Sequence, residues 1–198
     1  IYRVTKTHEF VTEDGRKIQT TALKPGQRLK LSSSTGAFGQ EHAPKTAYLD
    51  AWLIADGTWM GAEKTSSKLS IYKAGDKLKH IPALESCGLE FKWEENHRFT
   101  APVYGRPVPD RSCVPSYVLQ GDRETAKQFV MGYFHADGHI GHTSKGWTAQ
   151  VSSIHRSFLE EFQVLLRQFG VFSKIALMHP AGLKSMPGGT YYCQDSWR

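Results

Sequence analysis

Apolar residues recur with helical spacing in two stretches of the chain that end in the same three residues. Residues 48–57 and 129–138 both finish in Ala-Asp-Gly, with the acids at Asp56 and Asp137, 81 positions apart. Each stretch predicts a helix, and the glycine after each acid is expected to form a left-handed C-terminal cap. The repetition indicates a duplicated unit.

Shorter apolar or alternating runs lie between and after these two helices. Two further helices are predicted at residues 76–87 and 155–169, each closed by a glycine, and Pro82 within the first predicts a kink or a late start. Strands are predicted at residues 2–4, 9–11, 18–20, 67–73, 89–93, 98–101, 147–152, 172–178 and 190–193. The order helix, strands, helix, strands in each half predicts an α+β fold.

Two of these strands alternate, so that one face is polar. In residues 67–73 the side chains of Leu69 and Ile71 share the face that is expected to point inward, and in residues 147–152 Trp147 lies opposite the polar face. Lys, Ser, Thr and Gln suit the base edges and phosphates of DNA, although a solvated sheet face explains the first strand equally well. The residues predicted to contact DNA are Lys64, Lys68, Ser70, Tyr72, Lys73, Arg111, His142, Lys145, Thr148, Gln150, Ser152 and Lys174.

Charge and cysteine usage narrow the class of protein. The 198 residues carry 25 Lys and Arg against 19 Asp and Glu, and this net charge of +6 favours a polyanionic partner. Cys87, Cys113 and Cys193 are odd in number and form no Cys-x-x-Cys pair, so neither a disulfide framework nor a zinc site is indicated. An intracellular location is therefore expected. No apolar run is long enough for a membrane span, and no membrane partner is predicted.

The repeated acid is the feature that points to chemistry. A carboxylate in the last turn of a helix faces the negative end of the helix dipole, which disfavours it by about 0.3–1 kcal/mol. If their small residues let the two helices pack side by side, Asp56 and Asp137 meet, and they repel each other unless a cation lies between them. Hard oxygen ligands with room for water suit Mg²⁺.

At these residues the chain resembles a known family. Leu-Asp-Ala-Trp-Leu-Ile-Ala-Asp-Gly, ending at Gly57, and Val-Met-Gly-Tyr-Phe-His-Ala-Asp-Gly, ending at Gly138, resemble the two signature helices of a LAGLIDADG homing endonuclease. One such ending is weak evidence because helices often end in Asp-Gly, but two in matching contexts are specific.

The resemblance implies a fold, an activity and a set of site residues. Two pseudo-symmetric units would pack through the signature helices and form a saddle of antiparallel sheets on double-stranded DNA with a long specific target. Asp56 and Asp137 would be the catalytic, Mg²⁺-binding acids, and the carbonyl groups of Ala55 and Ala136 would be further metal ligands. The activity implied is Mg²⁺-dependent hydrolysis of both DNA strands by a monomer.

One departure from the family pattern leaves a second function open. Family members encoded within inteins usually have Lys-x-Ile-Pro just before the second signature helix, whereas this chain has Ser112 at the Lys position. Either Arg111 or another cation replaces the lysine, or the electrostatic help is absent and activity is reduced. Lys79 begins a literal copy of the motif, but far upstream. The alternative is a non-cleaving DNA- or RNA-binding protein, such as a degenerate endonuclease or a maturase.

The N-terminal residues resemble a different domain. Thr5 and His8 match a Thr-x-x-His element of intein splicing (Hint) domains, and a Leu-Lys-Pro-Gly turn follows at residues 23–26. A splicing domain also needs a nucleophile at its start and a His-Asn pair at its end, and this chain has neither, so we do not expect it to splice as given. Part of a protein-splicing intein is the third hypothesis.

These patterns divide the chain into four parts. Residues 1–31 are expected to be a partial Hint-like β segment, and the polar, Gly- and Ser-rich residues 32–45 a linker. Residues 46–122 would be the first LAGLIDADG unit and residues 123–198 the second.

Overall fold

The computed structural model describes residues 4–30, 36–72, 76–95, 97–144, 146–186 and 189–198. The chain separates into two compact units, residues 1–35 and 36–198. The predicted α+β fold is confirmed. No helix within the described residues has both the length and the apolar character that a bilayer crossing needs. The finer division into two repeats, at residues 46–122 and 123–198, stays a prediction.

The first unit is a small β-hairpin. Strands β1 (Glu9–Val11) and β2 (Lys17–Gln19) pair antiparallel, and a short 3-10 helix, Thr20–Ala22, follows. Gly15 adopts a φ of +84° in the connecting turn, a conformation that glycine reaches without steric cost. The predicted strand at residues 2–4 lies almost entirely outside the described residues.

The second unit contains five α-helices and ten strands in its described part. The helices are α1 (Pro44–Asp56), α2 (Ile81–Glu85), α3 (Ser116–Leu119), α4 (Arg123–Asp137) and α5 (Arg156–Gln168). The strands are β3 (Thr58–Met60), β4 (Ser66–Tyr72), β5 (Lys92–Glu94), β6 (Arg98–Val103), β7 (His139–Thr143), β8 (Gly146–Gln150), β9 (Leu177–His179), β10 (Gly182–Met186), β11 (Gly189–Cys193) and β12 (Ser196–Trp197).

Helix α1 is the centre of this unit. Its residues 47–54 are all buried, because one side packs on α4 and α5 and the other on the first sheet. A helix that is apolar on all sides is typical of such a central position. Close approach to α4 depends on Gly132, where an added Cβ would lie 2.7 Å from the carbonyl oxygen of Tyr48 and 2.9 Å from the Cβ of Ala51.

The first half of this unit follows the predicted order closely. Strands β3, β4, β6 and β5 form a four-stranded antiparallel sheet in that order. Leu69 and Ile71 are buried against α1, as their alternation predicts. Pro82 lies in the first turn of α2, after a 3-10 turn at Asp76–His80, so the predicted late start of this helix is confirmed.

The second half departs further from the prediction. β7 and β8 form a separate hairpin, β10 pairs with β11, and β9 pairs with β12, so the described strands do not join into one sheet. Residues 172–176 are not a strand. Trp147 is 76% exposed, and neither of the two faces of β8 is covered by other parts of the described structure. Helix α5 buries the predicted stripe of Phe158, Leu159, Phe162 and Leu165.

The described part of the predicted linker is held by hydrogen bonds. The amide of Gly36 donates to the carbonyl of Gln168, that of Gly39 to Gly121, and that of Ala43 to the hydroxyl of Thr125. Helix α1 then begins at Pro44. Residues 36–43 therefore lie along the starts of α1 and α4 and fix how the two helices begin.

Candidate metal and nucleic-acid site

The two repeated acids face the same cation at the paired ends of α1 and α4. The Nζ atom of Lys77 lies 2.5 Å from Oδ2 of Asp56 and 3.7 Å from Oδ1 of Asp137. The three side chains are partly exposed, at 37% for Lys77, 24% for Asp56 and 35% for Asp137. The close pairing of the acids expected from the sequence is thus present, and the cation between them comes from the protein itself.

The surroundings of the acid pair disfavour a negative charge on Asp137. Burial raises the pKa of the Asp137 carboxyl, and the neighbouring Asp56 carboxylate raises it further, while Lys77 and Arg111 act in the opposite direction. Each raising effect is what a bound cation would reverse. The site therefore has the properties of a cation-binding pair of carboxylates.

The glycines after the two acids do not form the predicted left-handed caps. Gly57 has φ −66° and Gly138 has φ −77°, both extended, so that prediction is wrong. The requirement for glycine is steric, because an added Cβ would lie 2.4 Å from the carbonyl oxygen of Leu53 or of Phe134. The chain leaves each helix along its own last turn and enters a strand at once. Gly88 and Gly170, by contrast, have φ of +93° and +76° after α2 and α5.

The predicted carbonyl ligands, those of Ala55 and Ala136, belong to the last turns of the two helices. The final four carbonyls of any helix lack partners inside the helix. At these ends the amides of Gly57 and Gly138 bond to Leu53 and Phe134, one turn back. The carbonyl groups of Ala55 and Ala136 lie within these last turns, and their role as metal ligands stays a prediction.

Arg111 approaches the acids from the other side. Its guanidinium donates to the carbonyl of Gly57, and its charge lowers the pKa of the Asp137 carboxyl. It lines a small cavity of about 260 Å³ with Asp137 and polar groups that include Ser152, Ser153 and His155. Ser112 does not take part, since its amide and hydroxyl both donate to Asp110. Arg111 and Lys77 are therefore both cations near the acids, and whether either replaces the missing lysine stays a prediction.

A larger groove, of about 1040 Å³, lies on the Lys77 side of the acids. We name it the lysine groove; it is lined by residues that include Asp56, Lys77, Ser70, Tyr72, His80 and His135. The rings of His80 and His135 stack with centroids 3.9 Å apart, and the hydroxyl of Tyr48 lies 3.0 Å from Nδ1 of His135. Burial is the main cause that lowers the pKa of His80, to about 4. It also lowers the pKa of His135. Both rings are therefore neutral near pH 7.

The predicted DNA-contacting residues fall into four groups. Ser70 and Tyr72 of β4 line the lysine groove, next to the acid pair. Arg111 and Ser152 line the small cavity beside Asp137. Others lie elsewhere on the exposed or half-exposed surface of the second unit, away from both cavities: Lys64, Lys68, His142, Thr148, Gln150 and Lys174. Lys73 and Lys145 lie outside the described residues. Lys64 extends over the ring of Trp59, at 6.0 Å from its centroid.

Lys77 is a residue of this candidate site that reasoning from the sequence did not find. It belongs to a run of lysines between β4 and α2, and nothing in its local spacing distinguishes it from Lys79. The sequence feature that could have indicated Lys77 is Pro82, because a proline there places a tight turn before α2. The 3-10 turn at Asp76–His80 brings Lys77 to the end of α1, next to the two acids.

Part of this unit is similar to a known family of domains. Residues 124–192 match the family model described as a LAGLIDADG-like domain. The matched stretch contains nearly all of α4, the β7–β8 hairpin and α5, and therefore Asp137. Among solved structures, the chain is similar to the homing endonuclease I-DmoI in complex with DNA and Mn, with a TM-score of 0.43, 15% identity, and coverage of 78% of this chain and 88% of that chain.

Curated relatives contain a segment similar to nearly the whole chain. The chain is 26% identical over 225 residues to the ribonucleoside-diphosphate reductase NrdEB subunit alpha of Bacillus subtilis, covering 94% of this chain and 20% of that protein. It is 30% identical over 204 residues to the ribonucleoside-diphosphate reductase large subunit of Invertebrate iridescent virus 6, covering 98% and 20%. A match of 39% over 62 residues covers 31% of this chain and 5% of the probable translation initiation factor IF-2 of Thermococcus kodakarensis. The chain spans about a fifth of the length of the reductase relatives.

Proposed function

We propose that the chain is a site-specific DNA endonuclease of the LAGLIDADG homing type, which hydrolyses both strands of a long double-stranded target with Mg²⁺ held by Asp56 and Asp137. The observation that carries the proposal is the meeting of these two acids around one cation at the ends of α1 and α4. The LAGLIDADG-like domain at residues 124–192 supports it, because that domain includes one of the two helices.

The donor set suits the metal. Two carboxylates at adjacent helix ends offer hard oxygen ligands and leave room for water, which Mg²⁺ retains when it binds to proteins. When bound there, a divalent metal supplies Lewis acidity to the phosphodiester and lowers the pKa of a bound water. The carbonyl groups of Ala55 and Ala136 would complete the protein's share of the ligands.

The remaining residues of the site would bind and orient the DNA. Arg111 and Lys77 place positive charge on opposite sides of the acids, where a scissile phosphate on each strand would need it. Ser70 and Tyr72 extend the surface outward along β4. Phosphate contacts from the other surface lysines would supply most of the affinity, and they would make binding weaker at high salt. Both acids come from one chain, so a monomer is sufficient.

We further propose that the chain derives from an intein. Similar segments occur in two ribonucleoside-diphosphate reductase subunits and, over a shorter stretch, in a probable translation initiation factor. By their names, these proteins have unrelated activities. A segment found in such different proteins is more simply an insertion than a part of either activity. Thr5 and His8, in the first unit, would then be a remnant of the splicing domain.

A non-cleaving DNA- or RNA-binding protein is the second candidate. The observation that favours it is that Lys77 already supplies one positive charge to the acid pair, which reduces the repulsion between the two acids without a metal. Ser112 at the usual Lys position points the same way.

The test is cleavage of a randomised double-stranded DNA library with and without Mg²⁺, followed by sequencing of the cut ends. The parent is expected to produce defined ends, and Asp56→Asn and Asp137→Asn are each expected to lower the rate at least about 100-fold, since even outer-shell changes around metals cost 10–100-fold. Glu95→Gln, which removes an exposed carboxylate elsewhere in the second unit, should cut like the parent.

Two results would contradict the proposal. Cleavage that survives in both Asn variants would remove the acids from the mechanism. Binding of DNA by the parent without any metal-dependent cut would favour the non-cleaving candidate.

A further inference from the structure

We infer that Lys77 is an internal counter-cation of the acid pair, which a divalent metal ion must displace in order to bind. The inference rests on the proposed function and adds a competition between a side chain and the metal. It starts from a single geometric fact: the Lys77 ammonium lies within 4 Å of a carboxylate oxygen from each of the two acids.

The acids need a cation whether or not metal is present. Both lie at the negative ends of helices that pack tightly through Gly132, so neither can move away without opening the α1–α4 contact. Without a positive charge between them, two half-buried carboxylates would repel each other. Lys77 supplies that charge from within the chain, and it thereby stabilises the metal-free protein.

The same contact opposes metal binding. A divalent ion and an ammonium group attract the same carboxylate oxygens and repel each other, so they cannot share this position. The direct contact of Lys77 with Asp56, at 2.5 Å, also occupies an oxygen that a metal would use. Metal affinity therefore reflects the attraction of two carboxylates for the metal, reduced by the attraction of the same pair for Lys77.

The structure also provides a place for the displaced side chain. Lys77 lies in the short 3-10 turn at Asp76–His80, is 37% exposed, and faces the lysine groove of about 1040 Å³. A lysine has a flexible four-carbon stem and a well-hydrated ammonium group, so it can leave the acids for the groove without backbone movement. Lys79, in the same turn, makes no ion pair with either acid.

The experiment measures binding of Mn²⁺ alone to the full chain by electron paramagnetic resonance, which detects free Mn²⁺ and requires no DNA. Lys77→Gln is expected to bind Mn²⁺ about tenfold or more tightly than the parent, because it removes a unit charge in contact with the ligands. The matched control is Lys79→Gln, with the same change in net charge in the same turn, and its affinity should stay within about twofold of the parent. Lys77→Arg keeps the charge and should retain an affinity close to that of the parent.

A second measurement covers the case in which Lys77→Gln folds poorly. Its melting temperature without metal should be lower than that of the parent, and the rise on adding Mn²⁺ should be larger, because the ion replaces the missing charge. A rise equal to or smaller than that of the parent would overturn the inference.

The outcomes separate this inference from the proposed function. If the parent binds Mn²⁺, the double variant Asp56→Asn with Asp137→Asn does not, and Lys77→Gln gains nothing, the metal site stands and the competition is refuted. If the parent and the double Asn variant bind Mn²⁺ equally, the acids do not form a metal site, and both proposals fail.

Discussion

Gly132 shows how a single residue controls the approach of the two acids. It lies on the face of α4 that packs against α1, opposite the carbonyl oxygen of Tyr48 and the Cβ of Ala51. Its φ is not in the left-handed region. Glycine is therefore required here for space, and the same is true of Gly57 and Gly138 after the acids.

Gly132→Ala is expected to destabilise the second unit by about 1–3 kcal/mol, the usual cost of overpacking a tight core contact. The new methyl group would meet the Tyr48 carbonyl at 2.7 Å, and a backbone atom of a buried helix cannot give way. Urea denaturation of the parent and the variant measures the difference. Lys127→Ala, on the exposed side of the same helix, is the control and should change stability by less than about 0.5 kcal/mol.

For single residues, the sequence indicates which residues belong to the candidate site better than it predicts their backbone conformation. Asp56 and Asp137 could be selected as candidate metal-binding acids from the sequence. Each places a carboxylate in the last turn of a helix, where it is disfavoured, and this happens in both copies of the motif. The reason for glycine at positions 57 and 138 could not be predicted, because a left-handed cap and a lack of space for a side chain both require glycine. Lys77 could not be chosen at all, because its partners are distant in sequence and meet only through the packing of α1 on α4.

Among the elements, the connector at residues 104–115 is held more firmly than its prolines and polar residues suggest. The carboxylate of Asp50, buried in α1, accepts from the guanidinium of Arg106 at 2.8 Å and from the hydroxyl of Tyr117 at 2.8 Å. The carbonyl of Arg106 accepts from Ser67 of β4. Burial and the Asp50 charge raise the pKa of the Tyr117 hydroxyl, which therefore stays a donor. This triad fixes the segment that presents Arg111 to the end of α1.

Asp50→Asn is expected to cost about 2–4 kcal/mol, near the lower end of the range for breaking a buried ion pair, because Arg106 is 34% exposed and partly solvated. Tyr117→Phe removes one hydrogen bond to the carboxylate and should cost about 1–2 kcal/mol. Chemical denaturation of both single variants and the double variant gives the coupling. Fully additive effects would show that the two contacts are independent.

The start of α4 depends on a second charged contact. Asp122 is the N-cap, and its carboxylate accepts from the amide of Thr125 and lies 2.6 Å from Nδ1 of His42. The His42 hydrogen bond is the largest cause that lowers the pKa of Asp122 from 3.8 to about 2, followed by that of the Thr125 amide.

This shift predicts a window of acid sensitivity. A carboxyl with a lowered folded-state pKa contributes stability that is present above its unfolded value, near 3.8, and that is lost as the pH falls through about 2. Asp122→Asn keeps a capping side chain but cannot titrate. Its melting temperature should therefore fall less steeply than that of the parent between pH 4 and pH 2, as measured by circular dichroism. Parallel curves for the two proteins would contradict the prediction.

At the scale of the whole molecule, the sequence predicts a duplication, because a motif recurs with its context, and this stays a prediction. The arrangement of the strands in the second half could not be predicted from the sequence. Its strands are separated into three two-stranded pairs, and exposed residues such as Trp147 and Ile140 follow strand alternation without being buried. Alternation predicts which side chains share a face, but only packing decides whether that face is covered.

The first unit should be the least stable part of the chain. Its described strands form one two-stranded hairpin, and such hairpins are marginal in water without further packing. In hydrogen exchange followed by mass spectrometry, the amides of β1 and β2 should exchange well before those of α1 and α4. Equal protection of the hairpin and the helices would overturn this expectation.

The contact of Gly132 with Tyr48 and Ala51 also sets the spacing between α1 and α4. It lies one to two helical turns before the acids, so the distance between the two helix axes at that point sets the gap between Asp56 and Asp137. A change of one atom at the contact would widen the gap without altering either carboxylate. A residue with no side chain, far from either carboxylate, therefore limits how much room remains between the two acids for a positively charged group.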